Sequence, residues 1–284
     1  MSGVSVLTLV KNRPTHLGRL VEGLQRSRAT PLELVIVDMS DDPVVVEPFC
    51  GFPVTVVRLS ADGLPLAQAR NLAARHARGS VLLFLDVDCI PSRALVGRLQ
   101  ADLADHDALI CAQVGYLGPD AVPNSWTEEG LAEASQSHPV RDFPTSGLRV
   151  EDNAGLFWSL TFGIRRDRFE RLGGFDEDFT GYGAEDTDFG FRCREAGVPL
   201  MFAGGPGSFH QHHGVYDPPL QHYEDIVRNA LRFHQRWGVW PMEGWLKCFE
   251  ALGLIVLQEE RLIRCRAPTP DEIEAARQPF NVRF

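Results

Sequence analysis

The stretch LLFLDVDCIP, residues 82–91, runs apolar for four residues and then places two carboxylates, Asp86 and Asp88, one residue apart. A short apolar run that stops at acids reads as a strand covered on both faces whose carboxyl end opens into a site. Three further runs of this kind, residues 4–10, 34–37 and 54–59, are β-branched and do not alternate strictly. Leu17, Leu20, Val21 and Leu24 repeat at helical spacing after the first of them, and Leu66, Ala69, Leu72 and Ala73 do so ahead of residue 81. Strands alternating with helices predict an α/β fold built on a mostly parallel sheet. Ligands bind such sheets beyond the carboxyl ends of the strands. Lys11, Asn12 and Arg13, then Asp38, then Asp86 and Asp88 all fall there.

At 284 residues the chain is long enough to bury a core, and its net charge of −10 argues against a nucleic-acid or anionic-membrane surface. Cys50, Cys89, Cys111, Cys193, Cys248 and Cys265 form no CxxC pair, so neither a zinc module nor a disulfide framework is expected. The opening MSGVSVLTLVKNRP lacks a basic leader and a cleavage site and reads as a first strand, and the apolar residues 251–257 are too few to cross a bilayer. These features predict a cytoplasmic protein without a transmembrane segment, peripheral to a membrane only through a partner. No GxGxxG or GxxxxGK(S/T) string follows the first strand, so the dinucleotide and P-loop ways of holding phosphate are disfavoured.

Residues 115–157 carry little periodic pattern and many Gly, Pro, Ser and Asp, as expected of a long surface connection that orders over substrate. Beyond Pro218 the pattern turns helical: Tyr223, Ile226, Val227, Ala230, Leu231 and His234 share one face, and a second helix is expected over 245–264. The division expected is a nucleotide-binding and catalytic domain over 1–215 and a helical C-terminal extension over 216–284.

Two carboxylates at the end of a buried strand suit a hard divalent cation, which can in turn hold a nucleotide diphosphate. An isolated DxD is weak, because it also describes a solvated turn. Its surroundings are more specific. FLDVDCIP resembles the metal-binding segment of GT-A glycosyltransferases, and in particular the DVDxIP form of the β-1,4-galactosyltransferase family. VKNRPTHL (10–17), AQARNLAARHA (67–77) and GGFDEDFTGYGAEDTDFGFR (173–192) resemble further blocks of that family, in the same order. The blocks are also similar to those of bacterial family 2 glycosyltransferases, polypeptide N-acetylgalactosaminyltransferases and chondroitin-polymerising enzymes.

The resemblance implies a role for each matching residue. Asp186 would be the general base toward an acceptor hydroxyl, with Glu185 beside it in the catalytic turn; Glu185 and Asp188 would bond the acceptor. Asp88 would bind the metal directly, and Asp86 would hold the ribose or a metal-bound water. His210 stands first as a further metal ligand. The galactosyltransferase-like pattern adds His213, whereas strand alternation would pair His210 with His212. Asp38 would read the uracil edge or cap a turn, Lys11, Arg13 and Arg70 would face base or diphosphate, and Asn12 and Asn71 would shape the loop and helix around the nucleotide-sugar. Trp158 and Tyr182 are candidate stacking surfaces for the acceptor sugar, with core packing the alternative for Trp158. Tyr182 and Ala184 replace the Trp and Gly of the galactosyltransferase pattern. Arg165, Arg166, Arg168 and Arg171 read as a solvated helix face.

The function implied is an inverting hexosyltransferase using Mn²⁺ or Mg²⁺ and a UDP-sugar (Gal/GalNAc or Glc/GlcNAc). The acceptor would be a glycan, a lipid-linked sugar, a peptide or a small molecule. A sugar nucleotidyltransferase and an inactive sugar-nucleotide-binding module are the alternatives.

Overall fold

A computed structural model describes residues 2–46, 51–60 and 63–283; Cys50 lies outside them. The first half follows the apolar pattern: β1 (Val4–Val10), α1 (Pro14–Gln25), β2 (Glu33–Asp38), β3 (Val54–Arg58), α2 (Leu66–His76) and β4 (Val81–Leu85). A turn leads to β5 (Cys89–Pro91), followed by α3 (Leu95–Asp105) and β6 (Leu109–Tyr116). The connection over 115–157 is not featureless, since it holds α4 (Glu128–Ala134), β7 (Gln136–Ser137) and β8 (Leu148–Glu151). Then come β9 (Thr161–Arg165), α5 (Arg166–Arg171), α6 (Glu185–Glu195) and β10 (Leu200–His210).

These strands form one sheet in the order β3-β2-β1-β4-β9-β6-β10-β5, with β7 on β6 and β8 on β10. β1 to β4 pair parallel, as do β6 and β10, while β9 and β5 run against their neighbours. Strand alternation divides the core between the two faces. Val6, Leu34, Ile36, Leu83 and Leu85 pack with α1 and α3 on one face. Leu7, Val35, Val37, Leu82 and Phe84 pack on the other against α2 and the rings of Phe157, Phe162, Phe175 and Phe189. A sheet buried on both sides explains why its strands read as unbroken apolar runs.

The C-terminal segment differs from its sequence expectation. α7 (Tyr223–Trp237) forms as read, but α8 (Glu243–Ala251) ends well short of 264, and β11 (Ile255–Leu257) and β12 (Leu262–Arg264) make an antiparallel hairpin before α9 (Pro270–Ala275). Gly253, in the left-handed region at φ 67°, stops α8, and its N–H bonds back to the Glu250 carbonyl. The next residues, Ile255, Val256 and Leu257, are β-branched or apolar and suit a strand. A third core gathers Leu220, Tyr223, Ile226, Phe249, Leu254 and Ile255, and Tyr182 packs against it. Among the described residues, no helix is long and apolar enough to cross a membrane.

Candidate active site

Sheet register brings the first functional groups together. The DVD segment is a turn in which the Asp86 N–H bonds the Leu160 carbonyl and the Cys89 N–H bonds the Asp86 carbonyl. β5 then pairs antiparallel with β10, with Cys89 opposite His210, and the Gln211 N–H donates to the Asp88 carbonyl. Asp88 and His210 therefore meet although they stand 122 positions apart in the chain. His210 Nε2 lies 3.5 Å from Asp88 Oδ1 and His213 Nε2 lies 3.5 Å from Asp88 Oδ2. One potential ligand atom from each of the three lies within 4.8 Å of the others. His212 stands apart: its Nε2 bonds the Val282 carbonyl at 3.1 Å and its ring abuts Phe280.

The protonation states suit a cation site. Burial works against charge on Asp88, but His210, Arg13, His213 and His16 outweigh it and hold the carboxyl below its usual range. The fixed charge among them is Arg13, which ion-pairs with Asp88. Burial pushes His210 down to about 4 despite Asp88, and His213 down as well, so both are neutral near pH 7 and free to offer a lone pair. The His213 Nδ1–H donates to the Gly214 carbonyl at 3.0 Å, which leaves Nε2 as the lone-pair nitrogen facing Asp88. Asp88 Oδ1 is buried without a hydrogen-bond partner.

The second group stands at the start of α6. The turn ahead of it uses the left-handed region at Gly181, Gly183 and Ala184. At Gly181 a side chain would collide with the Asp225 carboxylate; Ala184 bears a strain of about 1–2 kcal/mol there. This turn delivers Glu185, Asp186 and Asp188 into the first helical turn, where the helix dipole favours anions. Arg70, buried on α2, donates to Glu185 Oε1 at 2.9 Å and approaches Asp86 at 3.8 Å. Glu185 Oε2 is buried and unpartnered. Desolvation, joined by the repulsion of Asp186, raises the Glu185 pKa against the pull of Arg70. Desolvation likewise pushes Asp86 up to about 7, with Asp88, Glu185 and Asp186 adding to it and Arg70 opposing. Asp186 is half-buried and oriented by two backbone N–H groups, Thr187 at 2.7 Å and Ser159 at 3.4 Å.

A family model described as glycosyl transferase family 2 matches residues 5–173, more than half of the chain. The chain belongs to glycosyl transferase family 2. A second model, described as the N-terminal domain of galactosyltransferase, matches residues 146–213 of this family 2 chain, the part that carries the acidic turn and the histidines. Validoxylamine A glucosyltransferase of Streptomyces hygroscopicus subsp. limoneus is 30% identical over 69% of the chain and 49% of its own length. Hyaluronan synthase of Pasteurella multocida is 24% identical over 74% of the chain and 24% of its own length. The chain thus spans about half or less of the curated relatives it matches. Among solved structures, S. aureus TarS superposes with a TM-score of 0.59 at 17% identity, covering 82% of this chain and 40% of TarS. GalNAc-T7, solved with UDP, GalNAc and Mn²⁺, gives 0.57 at 19% identity, covering 75% and 44%. These likenesses establish the GT-A fold.

Several side chains of the family 2 chain sit differently from their sequence reading. Asp188 is fully buried and makes no acceptor surface, because Arg192, Arg236 and the Trp237 indole N–H occupy its oxygens at 2.8–3.0 Å. Its role is to tie α6 to α7. Asp38 is also fully buried, accepting from the Ser40 and Val44 N–H groups and from Arg58, which is the turn-capping alternative and leaves no uracil-reading edge free. Asn71 exchanges hydrogen bonds with the Phe175 backbone and donates to Glu177, so its side chain braces the segment ahead of the acidic turn from α2. Asn12, in the left-handed region, locks the end of β1 to Ser40 and Asp41, and Lys11 bonds the Gly63 carbonyl at 2.6 Å.

Tyr182 stacks on His222 with centroids 4.4 Å apart and lies 6.0 Å from Trp245. Trp158 is half-exposed, edge-on to His138, with Arg141 5.1 Å from its ring centre. The arginines read as a solvated face are largely tied down: Arg165 to the Leu103 and Ala104 carbonyls, Arg166 to Gly79, and Arg168 to Asp107. Sequence reading missed His16, whose Nε2 donates to the His212 carbonyl at 3.3 Å beside the metal-ligand cluster, although the VKNRPTHL block contains it. It also missed Tyr116, which pairs with His210 across the sheet, ring to ring at 5.1 Å. Nothing in the local sequence marks Tyr116.

Proposed function

We propose that this chain catalyses inverting, divalent-metal-dependent transfer of a hexose from a UDP-sugar to a hydroxyl acceptor. The observation that carries the reading is the convergence of Asp88, His210 and His213 beside the Glu185–Asp186 turn. Residues 1–215 would bind and transfer the sugar, and 216–284 would brace the acceptor side through Arg236, Trp237 and Asn229. Asn229 donates to the carbonyls of Thr180, Tyr182 and Gly183.

The residues fit a divalent cation: a buried Asp88 Oδ1 without a hydrogen-bond partner, and two neutral imidazoles whose Nε2 atoms face the two oxygens of that carboxylate. Asp88, His210 and His213 would hold Mn²⁺ or Mg²⁺, which supplies positive charge for the departing diphosphate. Arg13, ion-paired with Asp88, adds fixed cationic charge on the same side. Asp186 is the base that takes the proton from the acceptor hydroxyl as its oxygen attacks the anomeric carbon, and the two N–H groups keep its carboxylate aimed. A carboxylate is a weak base toward an alcohol, so proton transfer accompanies attack, and a single displacement inverts the anomeric centre. Arg70 holds Glu185 and offsets the charge crowded around Asp86.

The relatives' names favour glucose and N-acetylgalactosamine as donor sugars, and GalNAc-T7 and TarS have been solved with UDP. A glycan, lipid-linked sugar, peptide or small molecule serves as acceptor. The described cysteines are free, as a cytoplasmic setting would keep them. A panel of UDP- and GDP-sugars, followed by release of nucleoside diphosphate with and without Mn²⁺, tests the reading. Mn²⁺-dependent release of UDP from one sugar nucleotide is expected, falling on the order of 10³-fold in Asp186→Asn with UDP affinity retained. Conversion of the sugar nucleotide and added pyrophosphate to nucleoside triphosphate and sugar 1-phosphate, or full turnover in Asp186→Asn, would contradict it.

A further inference from the structure

His213 lies beyond the end of β10 and in no strand among the described residues, yet its imidazole is held within reach of Asp88. The end of the chain supplies the missing support. Ala276 accepts from the Asp217 N–H at 3.0 Å, Tyr216 and Arg277 form an antiparallel bridge, and the Gln278 N–H donates to the Val215 carbonyl at 2.9 Å. The His212 Nε2–H then donates to the Val282 carbonyl at 3.1 Å, while its ring meets Phe280 edge to face at 4.9 Å. Arg283 donates to the carbonyls of Ala134 at 2.7 Å and Tyr116 at 3.4 Å. Tyr116 is the residue paired with His210 across the sheet. The same short tail thus touches the segment that carries His213 and the strand end opposite His210.

We infer that residues 276–283 are a strap that presents His210 and His213 to the cation, with Phe280 and Arg283 as positioning residues. The inference rests on the metal-binding reading above. A loop ligand left free must be ordered when the ion binds, which costs affinity; a loop already zipped to a second segment has met that cost on folding. Neither Phe280 nor Arg283 is among the candidate ligands. Their effect passes through the backbone of 212–216 and through Tyr116.

The test measures Mn²⁺ affinity of the full chain without substrate, reading free Mn²⁺ by electron paramagnetic resonance. Variants are Arg283→Ala, Phe280→Ala, the double variant and Arg283→Lys, with melting curves alongside. The double variant is expected to bind Mn²⁺ about tenfold more weakly, a change of about 1.4 kcal/mol, each single variant less. Arg283→Lys, which keeps a donor, should recover most of the loss, and the melting temperatures should stay close to the parent's. Affinities unchanged in every tail variant, while Asp88→Ala loses the ion, would overturn the strap and leave the metal site standing. Equal loss in Arg283→Lys and Arg283→Ala would also overturn it, since the donor would then be irrelevant. A parent chain that binds no more Mn²⁺ than Asp88→Ala would overturn the metal reading and the strap with it.

Discussion

Asp86 and Asp88 leave the same strand end one residue apart and enter opposite settings. Asp88 stands among Arg13, His16, His210 and His213 and is held ionised. Asp86 stands among Glu185, Asp186 and Asp88, with Arg70 as its main cation, and is pushed up to about 7. The difference teaches that a DxD pair is not one unit of charge. One acid belongs to a region that can take a cation, and its neighbour belongs to a region already crowded with carboxylates. The two regions are joined by Arg70 on one side and the DVD turn on the other.

The largest effect expected concerns a third acid, Asp188, which the sequence groups with Glu185 and Asp186 and the structure removes from them. Truncating one partner of a buried, fully bonded ion pair costs about 3–5 kcal/mol, because Arg192 and Arg236 lose their counter-charge. Asp188→Ala should therefore lower stability by that order in urea melts, and a variant that melts like the parent but binds acceptor poorly would return Asp188 to the acceptor site. The next largest effect separates the DxD pair itself. Asp88→Ala should weaken Mn²⁺ binding by more than about a hundredfold, beyond the tenfold to hundredfold that loss of an outer-shell group costs, whereas Asp86→Ala should change it little. Equal losses in isothermal titration would erase the distinction between the two regions.

The smallest effect is in pH dependence. The Asp86 carboxyl has its pKa raised in the folded chain, so the stability it contributes is present below its unfolded value and is lost as pH rises through about 7. His210 has its pKa lowered to about 4, so its contribution is present above its unfolded value near 6.5 and is lost as pH falls through about 4. Over the acidic interval between these values the two oppose each other. In Asp86→Asn without metal the opposing contribution of Asp86 is gone, and the melting temperature should climb more steeply with pH between about 4.5 and 6.5 than in the parent. Parallel profiles would show that Asp86 is not in the acid-crowded setting described.

The first half of the fold was legible because β1 to β4 are buried on both faces and leave their mark in consecutive apolar residues. Asp88 and His210 were legible as a pair only through the family blocks; the register of β5 against β10 that unites them leaves no local trace. The choice between His212 and His213 could not be read, because β10 ends at His210 and alternation no longer applies beyond it. What separates the two histidines is a tail some seventy residues later that binds His212. Asp188 was misread for a similar reason. Its position in the first turn of α6 resembles that of its neighbours, and only the arrival of Arg236 and Trp237 from α7 shows where its oxygens are used. β11 lay within an apolar stretch, 251–257, short enough to suit either helix or strand, and the expected helix over 245–264 passed over Gly253, which ends α8.

The most direct measurement is anomalous diffraction at the manganese edge from crystals grown with UDP and Mn²⁺. The account predicts one strong peak bounded by Asp88, His210 and His213, with His212 still bonded to Val282. A peak between Asp86 and Glu185, or a site in which His212 replaces His213, would contradict it.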